Sequence, residues 1–398
     1  MEGLPDETGR QRLAKSLRSF ATYAGRDTAP QYADICRAAA GDGLILDLLS
    51  CAPPRQRRPT LLLAAVHYLL LAGVDSPLAD LYPTVVAWRQ SRGSVESVGP
   101  VASPAANPMP EPLTWYPHFA DLCRRHRRRI EDLLATRATQ TNEIGRCSAL
   151  FPVLCTVAGW HPGPLAVVDL GASAGLNLLL DRFAYCYVDL TSSPIPSVLG
   201  GGDPDSRVRL TTTLQAGGRP DLTMPPVAWR IGIDRSPVDP LDDEAALWLL
   251  ACQWPEHPER FERLRHALAL ARSTQAPAVV RGDVIDDLGE LVATVPEDTH
   301  LCLVHSWVAP YLSETHQREL HRVVAGIAST RPVSWMFAEE PFECPGLPIP
   351  PSPDPHLGRA KGATAVVLVE MDPVREARPR RMADMHPHGR WLRWWGAP

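Results

Sequence analysis

The stretch "VVDLGASAGLNLLLDRF", residues 167–183, decides how this chain is read. An apolar run ends in Asp169, passes through Gly171-Ala172-Ser173-Ala174-Gly175 and re-emerges with leucines at helical spacing. That pattern predicts a buried strand, a tight turn and a helix. Glycine tolerates positive φ and lets a ligand approach the backbone. Such a turn either exposes the Ser173 hydroxyl as a nucleophile or lies as a floor beneath a bound ligand.

Two regions of different texture flank this stretch. From about residue 11 to 160 the periodic segments read as helix, among them "LAKSLRSFATYA", "TLLLAAVHYLLL" and "FADLCRRHRRRIEDLLATRA". One Pro-rich interval, 99–112, reads as a loop bordering a cleft. After 160, strand candidates at 165–170, 227–234, 276–283, 300–307, 332–339 and 364–371 are separated in the middle by amphipathic helices. Apolar strands alternating with helices predict a parallel sheet covered on both faces. The expected class is therefore α/β: a Rossmann-like, doubly wound, mostly parallel sheet over 161–398, preceded by a helical region over 1–160. Residues 185–226 read as a β-rich insertion, and "HPHGRWLRWW" as a strand returning beside 364–371.

The order of elements also weighs the two readings of Ser173. A serine-hydrolase elbow follows several strands, whereas this turn follows the first strand of its sheet. In doubly wound folds that is where nucleotide-like ligands bind, at the carboxyl edge. A hydrolase would use Ser173 with His305 or His386 as base and Asp283 or Asp286 as orienter. A non-catalytic binding protein built on the same fold is the third alternative.

Composition narrows the partners. The chain has 398 residues, 45% hydrophobic and 21% charged, with net charge −5, which gives no electrostatic case for nucleic acid. Nine cysteines without a C-x-x-C pair read as reduced thiols, and residues 1–20 lack the apolar core of a signal peptide, so a cytoplasmic location is expected. "LLLAAVHYLLLAG" at 61–73 is too short to span a bilayer and reads as a buried helix. "RRHRRR" at 124–129, flanked by acids, reads as a solvated face. His386 and His388 in "HPHGRW" lack an acid or cysteine at familiar ligand spacing, so no metal is expected.

Several of these blocks resemble a known family. "TNEIGR", "DLGASAGLNLLLDRF", "GIDRSPVDP", "WLLACQWPEHPERFERL", "GDVIDDL", "HSWVAPYL" and "HPHGRW" look like a bacterial, largely actinobacterial family catalogued as domain of unknown function 2332. The Gly-rich block in turn is similar to the D/E-x-G-x-G-x-G loop of class I S-adenosylmethionine-dependent methyltransferases, with Ser173 where the central glycine lies. That resemblance implies S-adenosylmethionine as cofactor and methyl transfer to a small or medium-sized acceptor. Cofactor contacts would come from Asp169, Gly171, Ser173, Gly175 and Asn177. Asp234 would take the ribose hydroxyls, with Asp189 as its rival, and Asp283 would meet the adenine. His305 is the expected general base. Asn142, Glu143 and Arg146 would contact substrate or cofactor as a lid, the plain alternative being a helical Glu143–Arg146 ion pair.

Overall fold

The computed structural model describes residues 7–26, 29–93, 115–191, 196–357, 362–374 and 377–396. The Pro-rich interval at 99–112 lies outside these. The chain divides into two compact units, one of residues 1–141 with 242–262, the other of 142–241 with 263–398. The division differs from a single cut at residue 160. Helix Cys147–Trp160 belongs to the second unit because its side chains pack on the sheet, and Asp242–Glu262 returns to the first.

The first unit is helical throughout its described residues. Helix Pro59–Leu71 is buried on almost every side, which explains why it lacks a polar stripe. It carries His67, whose Nδ1–H reaches the carbonyls of Ala251 and Gln253, both at 3.0 Å, while Nε2 accepts from the Thr84 hydroxyl at 2.8 Å. Helix Pro30–Ala39 begins with proline, and its first amides, which have no partner within the helix, are satisfied from afar: Gln31 and Tyr32 donate to the Glu256 carboxylate at 2.6 and 3.3 Å. The arginine run falls on two helices, Trp115–Arg125 and Arg127–Thr136, where Arg125 pairs with Asp121 and Arg127 with Glu131 on exposed faces. Among the described residues no helix is long and apolar enough to cross a membrane.

The second unit is mixed α/β, built on one sheet of eleven strands. In chain order they are β1 (Leu165–Leu170), β2 (Ala184–Asp189), β3 (Ser197–Gly202), β4 (Arg209–Gly217), β5 (Val227–Asp234), β6 (Val279–Arg281), β7 (His300–Ser306), β8 (Val333–Glu339), β9 (Thr364–Met371), β10 (Arg378–Met385) and β11 (Trp391–Trp394). Their spatial order is β3-β2-β4-β11-β10-β9-β8-β7-β1-β5-β6. The run β8-β7-β1-β5-β6 is parallel, and β9 and β10 continue it antiparallel. All six residues of β1 and all seven of β8 are buried, as expected of strands paired on both edges and covered on both faces.

Alternation assigns the two faces. Ala166, Val168, Leu170, Ile233, Leu301, Leu303, Trp335 and Phe337 join one apolar cluster with Leu320, Val324 and Ala328 of helix Glu314–Ala328. The intervening residues, Asp169 and Asp234 among them, face the other way.

Two expectations are corrected. The strand beside β9 is β10, with "WLRW" one place further out as β11. Behind the Gly-rich turn the chain forms a 3-10 segment, Leu176–Arg182, where an α-helix was expected. The insertion is a β2–β3 hairpin plus β4, and β4 pairs with β11, so it extends the main sheet.

Candidate functional site

The carboxyl ends of β1, β5 and β7 carry the residues singled out in the sequence. The turn after β1 takes positive φ at three alternate positions: Gly171 (74°), Ser173 (54°) and Gly175 (69°). It is pinned from below, with Gly171 and Ala172 N–H donating to Ile233 O at 2.8 and 3.2 Å. Ser173 N–H donates to Asp234 Oδ2 at 2.8 Å, and Asp234 Oδ1 accepts from Ser236 N–H at 2.7 Å. The glycine at 171 is required twice over, because a Cβ there would also lie 2.5 Å from Val308 Cγ2.

Asp169 is the least satisfied group of the site. It is 2% exposed, its Oδ2 has no hydrogen-bond partner, and burial, followed by the charge of Asp234, pushes its carboxyl well above the usual range. Asn142 stands beside the same turn. Its Nδ2 donates to Ala172 O at 3.3 Å while its buried Oδ1 is left without a partner. Asn177 accepts from the Cys147 thiol at 3.4 Å. Asp283 sits past β6 as expected, where burial acts to raise its carboxyl but the Ile285 N–H and the Arg235 guanidinium outweigh it and hold the group low. Its oxygens are committed to a turn and an ion pair.

Glu143 and Arg146 flank the short 3-10 turn Ile144–Arg146 that precedes helix Cys147–Trp160. Glu143 caps Gly145 N–H at 2.9 Å and stands 3.1 Å from His388 Nδ1 and 3.8 Å from Arg263. Arg146 reaches Ser306 O at 3.3 Å and Pro387 O at 3.1 Å, with its guanidinium 5.2 Å from the Trp307 ring centre. The two residues thus tie the end of β7 to the loop after β10.

Two expected roles are corrected. His305 is fully buried on the face opposite Asp169 and Asp234, with Nδ1 2.7 Å from Glu339 Oε1 and its ring stacked on Phe337. Its side chain thus faces away from the turn beside which a general base was expected. Glu339 Oε1 also accepts the amides of Val308 and Ala309 at 2.9 and 3.3 Å, which makes His305–Glu339 a brace under the segment that covers Gly171. Asp189 lies at the end of β2, with six strands between it and β1, and is taken up by Arg219 and Thr191, so it stands apart from the Gly-rich turn.

The residues that motif reading missed are Glu339, Val308 and His388 as partner of Glu143. One signal was present: an acid ending the apolar strand "VSWMFAE" two residues beyond the neighbour of His305.

Fold and site together define a mixed α/β protein whose parallel strands end at a Gly-rich turn flanked by two carboxylates. The chain belongs to the domain of unknown function 2332 family, described as uncharacterized protein conserved in bacteria, which matches residues 14–394. A search of curated proteins finds no match. Among solved structures, one of the bifunctional kinase-methyltransferase WbdD shares 15% identity at a TM-score of 0.28, covering 63% of this chain and 44% of that one. A crystal structure of monomeric WbdD shares 17% at 0.24, covering 57% and 38%. The chain spans less than half the length of those proteins, and likeness at this level says nothing of what it binds.

Proposed function

We propose that the chain is a Rossmann-like, doubly wound enzyme of methyltransferase type that binds S-adenosylmethionine at Gly171–Gly175 and methylates a small or medium-sized acceptor. The observation that carries this reading is the pair of buried acceptors left without partners at the turn, Asp169 Oδ2 and Asn142 Oδ1. Unpaired buried acceptors are costly, and an ammonium group satisfies both charge and hydrogen bonding. These residues therefore fit the amino-acid end of the cofactor. Asp234, already holding Ser173 and Ser236, keeps lone pairs for ribose hydroxyls. When bound, the cofactor supplies a sulfonium methyl that moves to the acceptor nucleophile as the thioether leaves.

The chain's own contribution is positioning and exclusion of water. Val308, braced by Glu339, narrows the space over Gly171, and Ser173 narrows it further, which selects an extended ligand lying along the turn. Where the acceptor must lose a proton, His388 backed by Glu143 is better placed than His305.

Calorimetry and thermal shift with S-adenosylmethionine and its demethylated product test the proposal. Saturable binding that Asp169→Ala abolishes supports it, and absence of binding to the folded chain sinks it. A second reading is favoured by the left-handed backbone of Ser173, which a nucleophile elbow also imposes. Labelling by a fluorophosphonate probe that disappears in Ser173→Ala would establish that reading instead.

A further inference from the structure

We propose that His161, His300 and Glu370 form a divalent-metal site, with zinc its best-matched occupant, at the amino-terminal edge of the parallel strands. This inference is independent of the function proposed above, since the site lies at the sheet edge opposite the Gly-rich turn. It also departs from the expectation of no metal, which weighed only His386 and His388.

The three residues come from separate elements. His161 follows the end of helix Cys147–Trp160, His300 opens β7, and Glu370 stands near the end of β9, which runs the opposite way. One ring nitrogen of each histidine and one carboxylate oxygen all lie within 4.8 Å of one another, the one such group among the described residues. A tetrahedral zinc with bonds of about 2.0–2.2 Å needs ligand atoms roughly 3.4 Å apart. Ligation requires the two rings to turn out of their parallel stack until their in-plane lone pairs converge, and none of the three side chains is sealed in the core. The side chains of His161 and Glu370 are 32% and 26% exposed, which leaves an entry path and room for a water ligand.

The surroundings tie the three side chains into one cluster. The two imidazoles stack with centroids 3.7 Å apart and planes 9° from parallel. The guanidinium of Arg331 is directed at the carbonyls of Val295, Pro296 and Thr299. Glu370 serves two partners, His161 Nε2 at 2.8 Å and the Ser334 hydroxyl at 2.6 Å. Ser334 in turn stands 2.8 Å from His300 Nε2, and so orients a histidine and the carboxylate together, as outer-shell groups of metal sites do. Two nitrogens and a carboxylate oxygen with an open fourth position suit zinc over magnesium or calcium.

The test uses the untagged full chain, stripped with a chelator and dialysed against zinc, with metal content read by mass spectrometry. Cobalt(II) titration followed by visible absorption reports the ligand field. One equivalent retained, with a cobalt spectrum of low coordination number, is the expected result. His161→Ala and Glu370→Gln should each abolish both signals while the chain remains folded by circular dichroism. Ser334→Ala should weaken cobalt binding about 10- to 100-fold. Metal retained equally by His161→Ala and Glu370→Gln, or no retention and no zinc-dependent rise in Tm of the wild-type chain, overturns the proposal. The Tm comparison on the wild-type chain decides the matter even where a variant fails to fold.

Discussion

Replacing Asp169 by asparagine should make the protein more stable and less able to bind its ligand. The carboxyl is buried, one oxygen is unpartnered, and Asp234 is close enough to add repulsion. Leaving a buried polar group unsatisfied costs about 1–3 kcal/mol, and more when it is charged. Asparagine removes the charge and keeps the shape. The sign follows from linkage. With its carboxyl raised above the unfolded value of 3.8, the native state holds a proton that the unfolded chain has lost, so stability falls as pH rises from about 4 through the native value. The slope from this one group is at most about 1.4 kcal/mol per pH unit. Urea unfolding of wild type and Asp169→Asn at pH 4 and pH 8 should therefore show a small difference at the lower pH and about 1–3 kcal/mol in favour of the variant at the higher. Stabilisation by S-adenosylmethionine should be lost in the same variant. A variant destabilised at pH 8 would refute the reasoning, for it would mean that the carboxylate is already compensated within the protein.

Three further outcomes are expected. Gly171→Ala should cost about 2–5 kcal/mol in urea unfolding, from left-handed backbone and the clash with Val308, and adding Val308→Ala should recover only the steric part. Glu339→Ala strips His305 and two amides of their acceptor and should cost about 3–5 kcal/mol, with Glu339→Gln costing less by the same measurement. His67, held neutral by burial with its value lowered from 6.5 to about 4, makes the native state resist a proton that the unfolded chain accepts. Stability should drop by about 3 kcal/mol as pH falls from 6.5 to 4, and His67→Gln, compared by urea titration at both pH values, should lack that increment.

The central strands were legible because burial on both faces writes itself as a mostly apolar run: 165–170 and 364–371 coincide with β1 and β9, while 227–234 coincides with β5 although that strand is largely half-buried and carries Arg230. β10 was not, since "RPRRMADM" opens with exposed arginines and shows its apolar half only inside the sheet. The pairing of β4 with β11 joins segments far apart in the chain, and no local pattern records it. At the site, motif spacing located Asp169, the turn and Asp234. It could not locate His305 relative to them, because that depends on register. Asp169 pairs with Val304, so His305, one residue later, points to the other face. A one-residue offset, invisible in composition or periodicity, separates a base from a brace.

The parallel pairing of β4 with β11 has a consequence for synthesis. β4 finds one neighbour, β2, in the chain made just before it, but its other edge stays open until residues 391–394 leave the ribosome. During that interval an amphipathic strand with Leu210 and Leu214 on its inner side offers unpaired amides to any passing chain. Nascent molecules stalled before Trp391 should be the ones that chaperones hold and that aggregates collect.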